Sequence, residues 1–227
     1  MKKLSIISLL TLLILFIWTG CKHVDEKFLS EGRIEYSAAL VDQSNSMASM
    51  APSKMTIKFK ENKSCVEMSA GMGLFSTSFV SNPEDKSLLQ MVKLLNKKFW
   101  LMQDSNNINK ENESYKFEIK PTKETKIIAG YKCEKAIVHI KDSEIDAPDF
   151  VIYYTKDLNI HNPNFSNPFS KIDGVLMEYQ MKKFGLEMKF VANKVIKESV
   201  DDAIFKVPDD YKKISQKEMD ELFQGLQ

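Results

Sequence analysis

The sequence has few of the residues from which catalytic and metal sites are usually recognised. It holds 3 histidines and 3 cysteines in 227 residues, and no serine lies in a G-x-S-x-G turn. Neither His139 nor His161 has a second ligand at metal-binding spacing. The 32 Lys and Arg nearly balance the 31 Asp and Glu, which argues against the basic stripe of a nucleic-acid-binding protein. The sequence therefore predicts no catalytic residues, no metal, no cofactor and no enzymatic activity. An enzyme that acts on envelope material stays an alternative, because catalytic groups converge in space rather than in sequence.

Long apolar runs are also scarce, and the one that stands out is N-terminal. Leu4–Trp18 follows two lysines, and it is too short to span a bilayer, which needs about 20 apolar residues. A basic head, an apolar run and small residues are typical of a secretory signal. The cysteine directly after Thr19-Gly20 resembles a bacterial lipobox, with Trp18 where that motif prefers leucine. We therefore expect cleavage between Gly20 and Cys21 and lipid attachment at Cys21, with plain secretion or an uncleaved anchor as alternatives.

This signal divides the chain into a signal peptide (1–20), a polar tether (21–30) and a single domain (31–227). Two or more acyl chains on one residue give stable anchoring. The expected location is therefore the cell envelope, with the membrane as a partner through lipidated Cys21. Lys22 in place of an aspartate favours the outer membrane, while the membrane face and any protein partner stay open.

Alternation of apolar and polar residues dominates the rest of the sequence. Five segments repeat with a period of two, which is typical of antiparallel strands with one face in water. These segments are 34–40, 55–59, 115–119, 175–181 and 186–190. Turn signals such as Ala129-Gly130 separate several of the strands. The pattern predicts a mainly β (α+β) fold with few helices.

Helices are indicated in two places. Ser215 and Glu218 form a capping box ahead of Met219, Leu222 and Phe223, which predicts a C-terminal helix. The segment 87–95 fits a helix that starts at Asn82-Pro83, and it equally fits a strand paired with 98–102. We expect the segments 43–53, 103–114 and 156–173 to be long loops, the last of them a mobile gate.

Three short motifs in order resemble a known family. They are Ile128-Ala129-Gly130-Tyr131-Lys132-Cys133-Glu134-Lys135-Ala136, Phe150-Val151-Ile152-Tyr153-Tyr154-Thr155 and Phe205-Lys206-Val207-Pro208-Asp209-Asp210-Tyr211-Lys212. Together they resemble an envelope-lipoprotein family of unknown function that is similar to the lipoprotein-carrier superfamily. That resemblance implies a strongly curved antiparallel sheet, or half-open β-barrel, with a few short helices. The family order also favours a strand over 87–95.

The same resemblance implies a cavity for a lipid or another apolar ligand. Apolar and aromatic residues on the strands would line it, namely Phe79, Met91, Trp100, Tyr154, Met177, Tyr179, Met188 and Phe190. A solid barrel core looks identical in sequence, because both need apolar inner faces. The alternative function is therefore a non-enzymatic structural or protein-interaction module.

Two cysteines remain after Cys21 is assigned to lipid. An even pair in an oxidising compartment permits a disulfide between Cys65 and Cys133. Spacing alone does not show proximity, so two buried free thiols remain the alternative.

Overall fold

The computed structural model describes residues 29–44, 48, 51–141, 148–183 and 185–224. The predicted cleavage at Gly20 and the lipid attachment at Cys21 lie outside the described residues and stay predictions. Among the helices in the described ranges, none has the length and apolar character needed to cross a membrane.

The alternating segments form strands, except that Tyr115 and Lys116 end the helix before the strand that begins at Phe117. The segments 34–40, 55–59 and 186–190 bury one face and leave the other more exposed. The segment 175–181 differs, because residues 175–179 are buried on both faces. The described residues form twelve strands, namely β1 (Glu31–Leu40), β2 (Lys54–Lys60), β3 (Lys63–Ala70), β4 (Phe75–Asn82), β5 (Ser87–Leu94), β6 (Lys97–Gln103), β7 (Phe117–Ile128), β8 (Tyr131–Ile140), β9 (Phe150–Thr155), β10 (Val175–Lys183), β11 (Leu186–Ile196) and β12 (Lys212–Lys213). The α-helices in the same ranges are α1 (Ser105–Ser114) and α2 (Gln216–Gln224), with 3₁₀ turns at Gly71–Gly73 and Asp202–Phe205.

All twelve strands belong to one sheet in the order β12-β6-β5-β4-β3-β2-β1-β11-β10-β9-β8-β7. Neighbours pair antiparallel, except that β12 pairs parallel with β6. The end strands β12 and β7 do not pair with each other, so the sheet is not closed. The predicted mainly β class with few helices is confirmed.

Two local predictions are also confirmed. Ala129 and Gly130 form the β7–β8 turn with φ of 50° and 87°, and glycine adopts such positive φ without steric cost. Ser87–Leu94 is strand β5, which pairs with β6 so that Met91 lies opposite Trp100. Strand pairing decides the structure of this segment, since its apolar spacing fits a helix and a strand equally well.

The sheet folds over an apolar core, and Tyr179 of β10 lies at its centre. Its ring stacks on Phe190 at 5.0 Å and meets Tyr36 edge-on at 6.4 Å. Its hydroxyl donates to the Met55 sulfur at 3.6 Å, although β2 and β10 are not adjacent in the sheet. Strands that are distant in the strand order therefore share one core.

The segment 156–174 between β9 and β10, here called the loop plug, packs into this core. The Phe169 side chain is 0 % exposed and contacts the rings of Phe117 and Tyr179. The buried Asn164 amide donates to the carbonyls of Ile172 and Gly174 at 2.9 and 2.8 Å. Those bonds satisfy backbone groups that burial would otherwise leave unpaired. The expectation of a mobile gate is therefore corrected: the segment is part of the core.

The expected loop 103–114 is largely helix α1. Asp104 caps it by accepting from the Asn107 backbone N–H at 2.9 Å. Ile108 is its buried residue, so the sequence shows no amphipathic stripe from which a helix could be predicted. Contacts with distant segments stabilise the helix further. The Asn112 amide, for example, donates to the Phe165 carbonyl in the loop plug at 3.1 Å.

Cys65 and Cys133 are both free and buried. Cys133 lies in the main core, while Cys65 lies in a separate cluster with Val80, Leu89 and Met91. The permitted disulfide is therefore not formed, because the two thiols belong to different clusters. Burial is the main cause that raises the pKa of Cys65 to about 12 and of Cys133 to about 11.

We expect Phe169→Ala to lower the free energy of unfolding by about 3–5 kcal/mol, because it removes a fully buried ring from the core. Urea denaturation measures the change. Phe165→Ala is the matched control, since Phe165 is a half-buried residue of the same loop plug and its loss should cost less. Equal effects of the two substitutions would contradict a packed loop plug anchored by Phe169.

Candidate functional site

The eight residues predicted to line one cavity do not all lie together. The main core contains five of them, namely Tyr154, Met177, Tyr179, Met188 and Phe190. Phe79 and Tyr179 line an apolar pocket of about 110 Å³ beneath the loop plug. Met91 and Trp100 lie in the separate cluster that contains Cys65. The prediction of a common lining is corrected, because alternate residues of a strand point to opposite faces of the sheet.

A polar groove of about 520 Å³ lies between the two helices, beside the sheet. Its walls come from α1, α2, strands β5 and β6, and the β10–β11 turn. The lining residues are Gln90, Gln103, Asn107, Lys110, Glu111, Ser114, Tyr115, Lys182, Lys183, Gly185, Gln216, Met219 and Asp220. Sequence analysis missed this groove, since no segment contributes enough of these residues to form a motif.

A chain of hydrogen bonds crosses the groove and links four elements. The Gln103 amide Nε2 donates to Glu111 Oε2 at 3.3 Å and to Gln216 Oε1 at 3.1 Å. Gln216 Nε2 in turn donates to Asp220 Oδ1 at 2.8 Å. At the other end, Lys183 Nζ contacts Glu111 Oε1 at 2.5 Å. Gln103 is only 4 % exposed, so these bonds fix both helices against a buried polar side chain.

Lys183 also separates the polar groove from the apolar pocket. Its ammonium lies 5.1 Å from the centre of the Phe79 ring, and the residue lines both spaces. A cation that contacts an aromatic face on one side and the Glu111 carboxylate on the other is held in place by both. The groove therefore has a charged wall toward the core.

Gln90 is the unusual residue of the groove. The residue is 3 % exposed, and its side-chain nitrogen Nε2 is buried. Among the described residues this nitrogen finds no hydrogen-bond partner. Burying an amide without a partner costs about 1–3 kcal/mol in proteins. An amide of this kind calls for a partner that the described residues do not provide, such as a water molecule or a ligand group.

Tyr115 supplies an aromatic surface at the C-terminal end of α1. Its hydroxyl donates to the Lys182 carbonyl at 2.7 Å, and its ring contacts Phe117 at 5.4 Å. Burial, with a smaller contribution from the Glu111 carboxylate, raises the pKa of Tyr115 well above its usual range. The side chain is therefore neutral at physiological pH and contributes apolar area next to polar groups.

The groove combines amide, carboxylate, ammonium and aromatic groups, which suits a polar ligand with donors, acceptors and an apolar face. Among the residues that the structure describes, no group of three or more His, Cys, Asp or Glu is placed to hold a metal ion. Binding of a polar organic molecule is the chemistry that this arrangement supports.

A second depression, of about 430 Å³, is lined by Lys60, Lys63, Asp202 and Lys206, among others. Lys60 and Asp202 already form an ion pair at 2.9 Å, which lowers the pKa of Asp202. Because these charges satisfy each other, this depression has weaker grounds for a ligand than the groove around Gln90.

Two glutamines of the groove should respond oppositely to the same substitution. Gln90→Leu removes an unpaired buried donor, so we expect the free energy of unfolding to rise by about 1 kcal/mol. Gln103→Leu breaks two hydrogen bonds, and we expect a fall of about 1–3 kcal/mol. Urea denaturation measures the free energy of unfolding of both variants. An equal loss of stability in the two would show that the Gln90 amide has a partner.

The capping box predicted for α2 is confirmed, and it makes this wall of the groove sensitive to acid. Glu218 accepts from the Ser215 backbone N–H and hydroxyl, both at 2.7 Å, and these bonds lower the pKa of Glu218. A lowered pKa in the folded state means that the stabilisation is complete above the unfolded pKa of about 4.3. It is then lost as the pH falls through the folded value.

We therefore expect faster amide exchange in the first turn of α2 as the pH falls below about 4.3, after correction for intrinsic exchange rates. Glu218→Gln is the matched control, because glutamine keeps an acceptor without a titratable proton. An identical pH response in the two proteins would rule out Glu218 as the cause.

Among solved structures, the one described as "Structure of PNGF-II in P21 space group" resembles this fold, with a TM-score of 0.55. The sequences are 16 % identical, so this likeness shows the fold alone. The alignment covers 86 % of this chain and 33 % of that one, so this chain spans about a third of that structure's length. No curated protein matches the chain.

The family model described as "N-glycanase peptide, N-terminal domain" matches residues 42–166, more than half of the chain. This match and the PNGF-II fold overturn the resemblance to the lipoprotein-carrier superfamily and, with it, the assignment as a lipid carrier. The membrane anchor at Cys21 stays a prediction. The match and the fold also correct the prediction that the protein is not an enzyme, since the family is named for an N-glycanase. The chain belongs to the family of N-glycanase N-terminal domains.

Proposed function

We propose that this chain serves an N-glycanase function, and that its polar groove binds the carbohydrate. The observation that supports this most is the groove of about 520 Å³, whose wall contains the buried glutamines Gln90 and Gln103. Its volume falls within the range of about 300–1,000 Å³ that is usual for small-molecule sites. The family name is consistent with a glycan as the ligand.

The chemistry of the groove matches that of a sugar. A pyranose ring has hydroxyl groups that both donate and accept, and C–H faces that are apolar. Glu111 and Asp220 provide acceptors, Lys182 provides a donor, and Tyr115 provides an apolar surface. Charged acceptors strengthen the bonds they receive, so the two carboxylates would contribute most to affinity.

Lipid carriage, with the sheet as a half-open barrel around an acyl chain, is less favoured by the contacts. Phe169 packs in the main core together with Leu158, Ile160 and Ile172 of the same loop plug. The apolar pocket that remains there, about 110 Å³, is smaller than the engineered cavity of about 150 Å³ that binds benzene. An acyl chain would have to displace the loop plug.

The solved PNGF-II chain is about three times as long as its alignable part. We infer that this domain acts together with further protein, and that the groove holds the glycan for a reaction that involves both. The hydrogen-bonded chain from Asp220 to Lys183 keeps the groove open before the ligand arrives, which lowers the ordering cost of binding.

The test is direct binding of a glycopeptide that carries one N-glycan, measured by isothermal titration calorimetry against the same peptide without glycan. We expect binding of the glycosylated peptide alone. Asp220→Ala should weaken it at least tenfold, since a hydrogen bond to a charged group contributes about 1.5–3 kcal/mol.

Glu221→Ala is the matched control for this test. Glu221 is an exposed acid one residue further along α2, and it pairs with Lys217 at the surface, outside the groove lining. It should bind like the unsubstituted protein. If both substitutions weaken binding equally, the loss of affinity comes from the change in net charge. If the protein binds both peptides with equal affinity, glycan binding is refuted.

A further inference from the structure

We propose that the tips of two neighbouring hairpins form a surface that contacts an anionic lipid bilayer. This surface, here called the apolar tip, consists of Met72 and Leu74 in the β3–β4 turn and Leu95 in the β5–β6 turn. The Leu95 backbone N–H donates to the Leu74 carbonyl at 2.7 Å, so the two turns are joined. Phe75, the next residue, packs edge-on against Phe223 of α2 with ring centres 6.1 Å apart, which gives the tip a packed base. The inference concerns another part of the molecule than the carbohydrate groove and does not depend on it.

The apolar tip faces water over most of its area. Met72, Leu74 and Leu95 are 102 %, 55 % and 58 % exposed. A side chain at Gly73 would meet no heavy atom within 4 Å, so the β3–β4 turn projects from the molecule. Large apolar residues that are exposed side by side in this way mark a surface that another molecule covers.

The backbone conformation makes these residues a poor choice for turns that only connect strands. Met72 and Leu95 have φ of 55° and 56°, in the left-handed region that bulky residues rarely adopt. Turns usually place Gly, Asn or Asp at such positions. Here each large apolar side chain combines an unfavourable backbone conformation with exposure to water. Departures of this kind from the local rules are expected where function requires them.

Positive charge flanks the tip. Lys93 and Lys97 lie two residues before and two residues after Leu95, on β5 and β6. Lys98 lies opposite Lys93 and pairs with Asp210, whereas within the described part of the chain no carboxylate pairs with Lys93 or Lys97. Lysines are attracted to anionic headgroups, and their stems can lie against apolar groups while the ammonium stays in water. The charges therefore complement a negatively charged lipid surface.

A bilayer fits this surface better than a protein or a second copy of the chain does. A standard protein interface buries about 800 Å² on each partner, which is more than three side chains on two turns supply. A projecting tip would also need a matching pocket in a protein, whereas the headgroup boundary accepts apolar side chains without a preformed shape. The contact is made at the outside of the sheet, so it differs from carrying a lipid inside the core.

The test follows the oxidation of Met72 on the full chain, because an accessible thioether is converted to the sulfoxide. Met102 is the internal reference, since it is also exposed, at 49 %, and lies five residues along β6 from Lys97, about 16 Å from the tip. Chloramine-T is the oxidant, and peptide mass spectrometry gives both rates with and without vesicles of equal parts phosphatidylglycerol and phosphatidylcholine. We expect vesicles to lower the rate of Met72 relative to Met102 by about fivefold or more, because insertion removes the sulfur from water.

A pair of charge reversals tests the role of the lysines. Lys93→Glu combined with Lys97→Glu should return the relative oxidation rate of Met72 on vesicles to its value without vesicles, because repulsion replaces attraction. Lys123→Glu combined with Lys132→Glu is the matched control. These two lysines are exposed on β7 and β8, far from β5 and β6 in the strand order, and their reversal changes the net charge equally. The control should keep the protection of Met72.

Three results would overturn the proposal. Vesicles could leave the rate of Met72 relative to Met102 unchanged, which would show that the bilayer does not cover the tip. Protection could appear without vesicles and grow with protein concentration, in which case a second copy covers the tip. Protection could survive the reversal of Lys93 and Lys97 and be equal on pure phosphatidylcholine vesicles, which would exclude recognition of anionic headgroups. None of these results bears on the carbohydrate site.

Discussion

The amide of Gln103 is the contact on which the groove depends. It is buried at the end of β6, and a buried amide must find partners or destabilise the fold. Its partners come from α1 and α2, two helices that are separated by more than a hundred residues in the chain. This side chain therefore links the two helices, while Met219 and Phe223 hold α2 against the sheet. The space between the helices is the groove.

Because the core is filled, the proposed binding site lies beside the sheet and not within the core. An open sheet that folds over on itself has an apolar concave side, which a ligand or the protein itself must cover. Here the loop plug covers it with Phe169, and Asn164 satisfies the backbone groups that this loop buries. The polar space between the helices is then the place where a ligand meets buried donors and acceptors.

The lipoprotein-carrier resemblance failed for a physical reason. Its motifs, such as the segment 128–133, report a tight turn between two strands, and Ala129 and Gly130 do form that turn. Many curved antiparallel sheets need the same turn and the same alternation, so motifs of this kind identify strands and say little about function. The family match covers 125 consecutive residues instead, and that length carries the order and spacing of strands β2 to β9.

The sequence by itself determined the strands and the capped α2, because alternation and capping act between near neighbours in the chain. It did not determine α1, whose polar sequence buries only Ile108 and depends on contacts with distant segments. Tertiary structure alone decided that Cys65 and Cys133 lie in different clusters, and that the loop plug is packed. It also decided the site. Gln90, Gln103 and Glu111 are close in the chain, but they meet Lys183 and Asp220 only through packing between distant segments, which no local sequence pattern encodes.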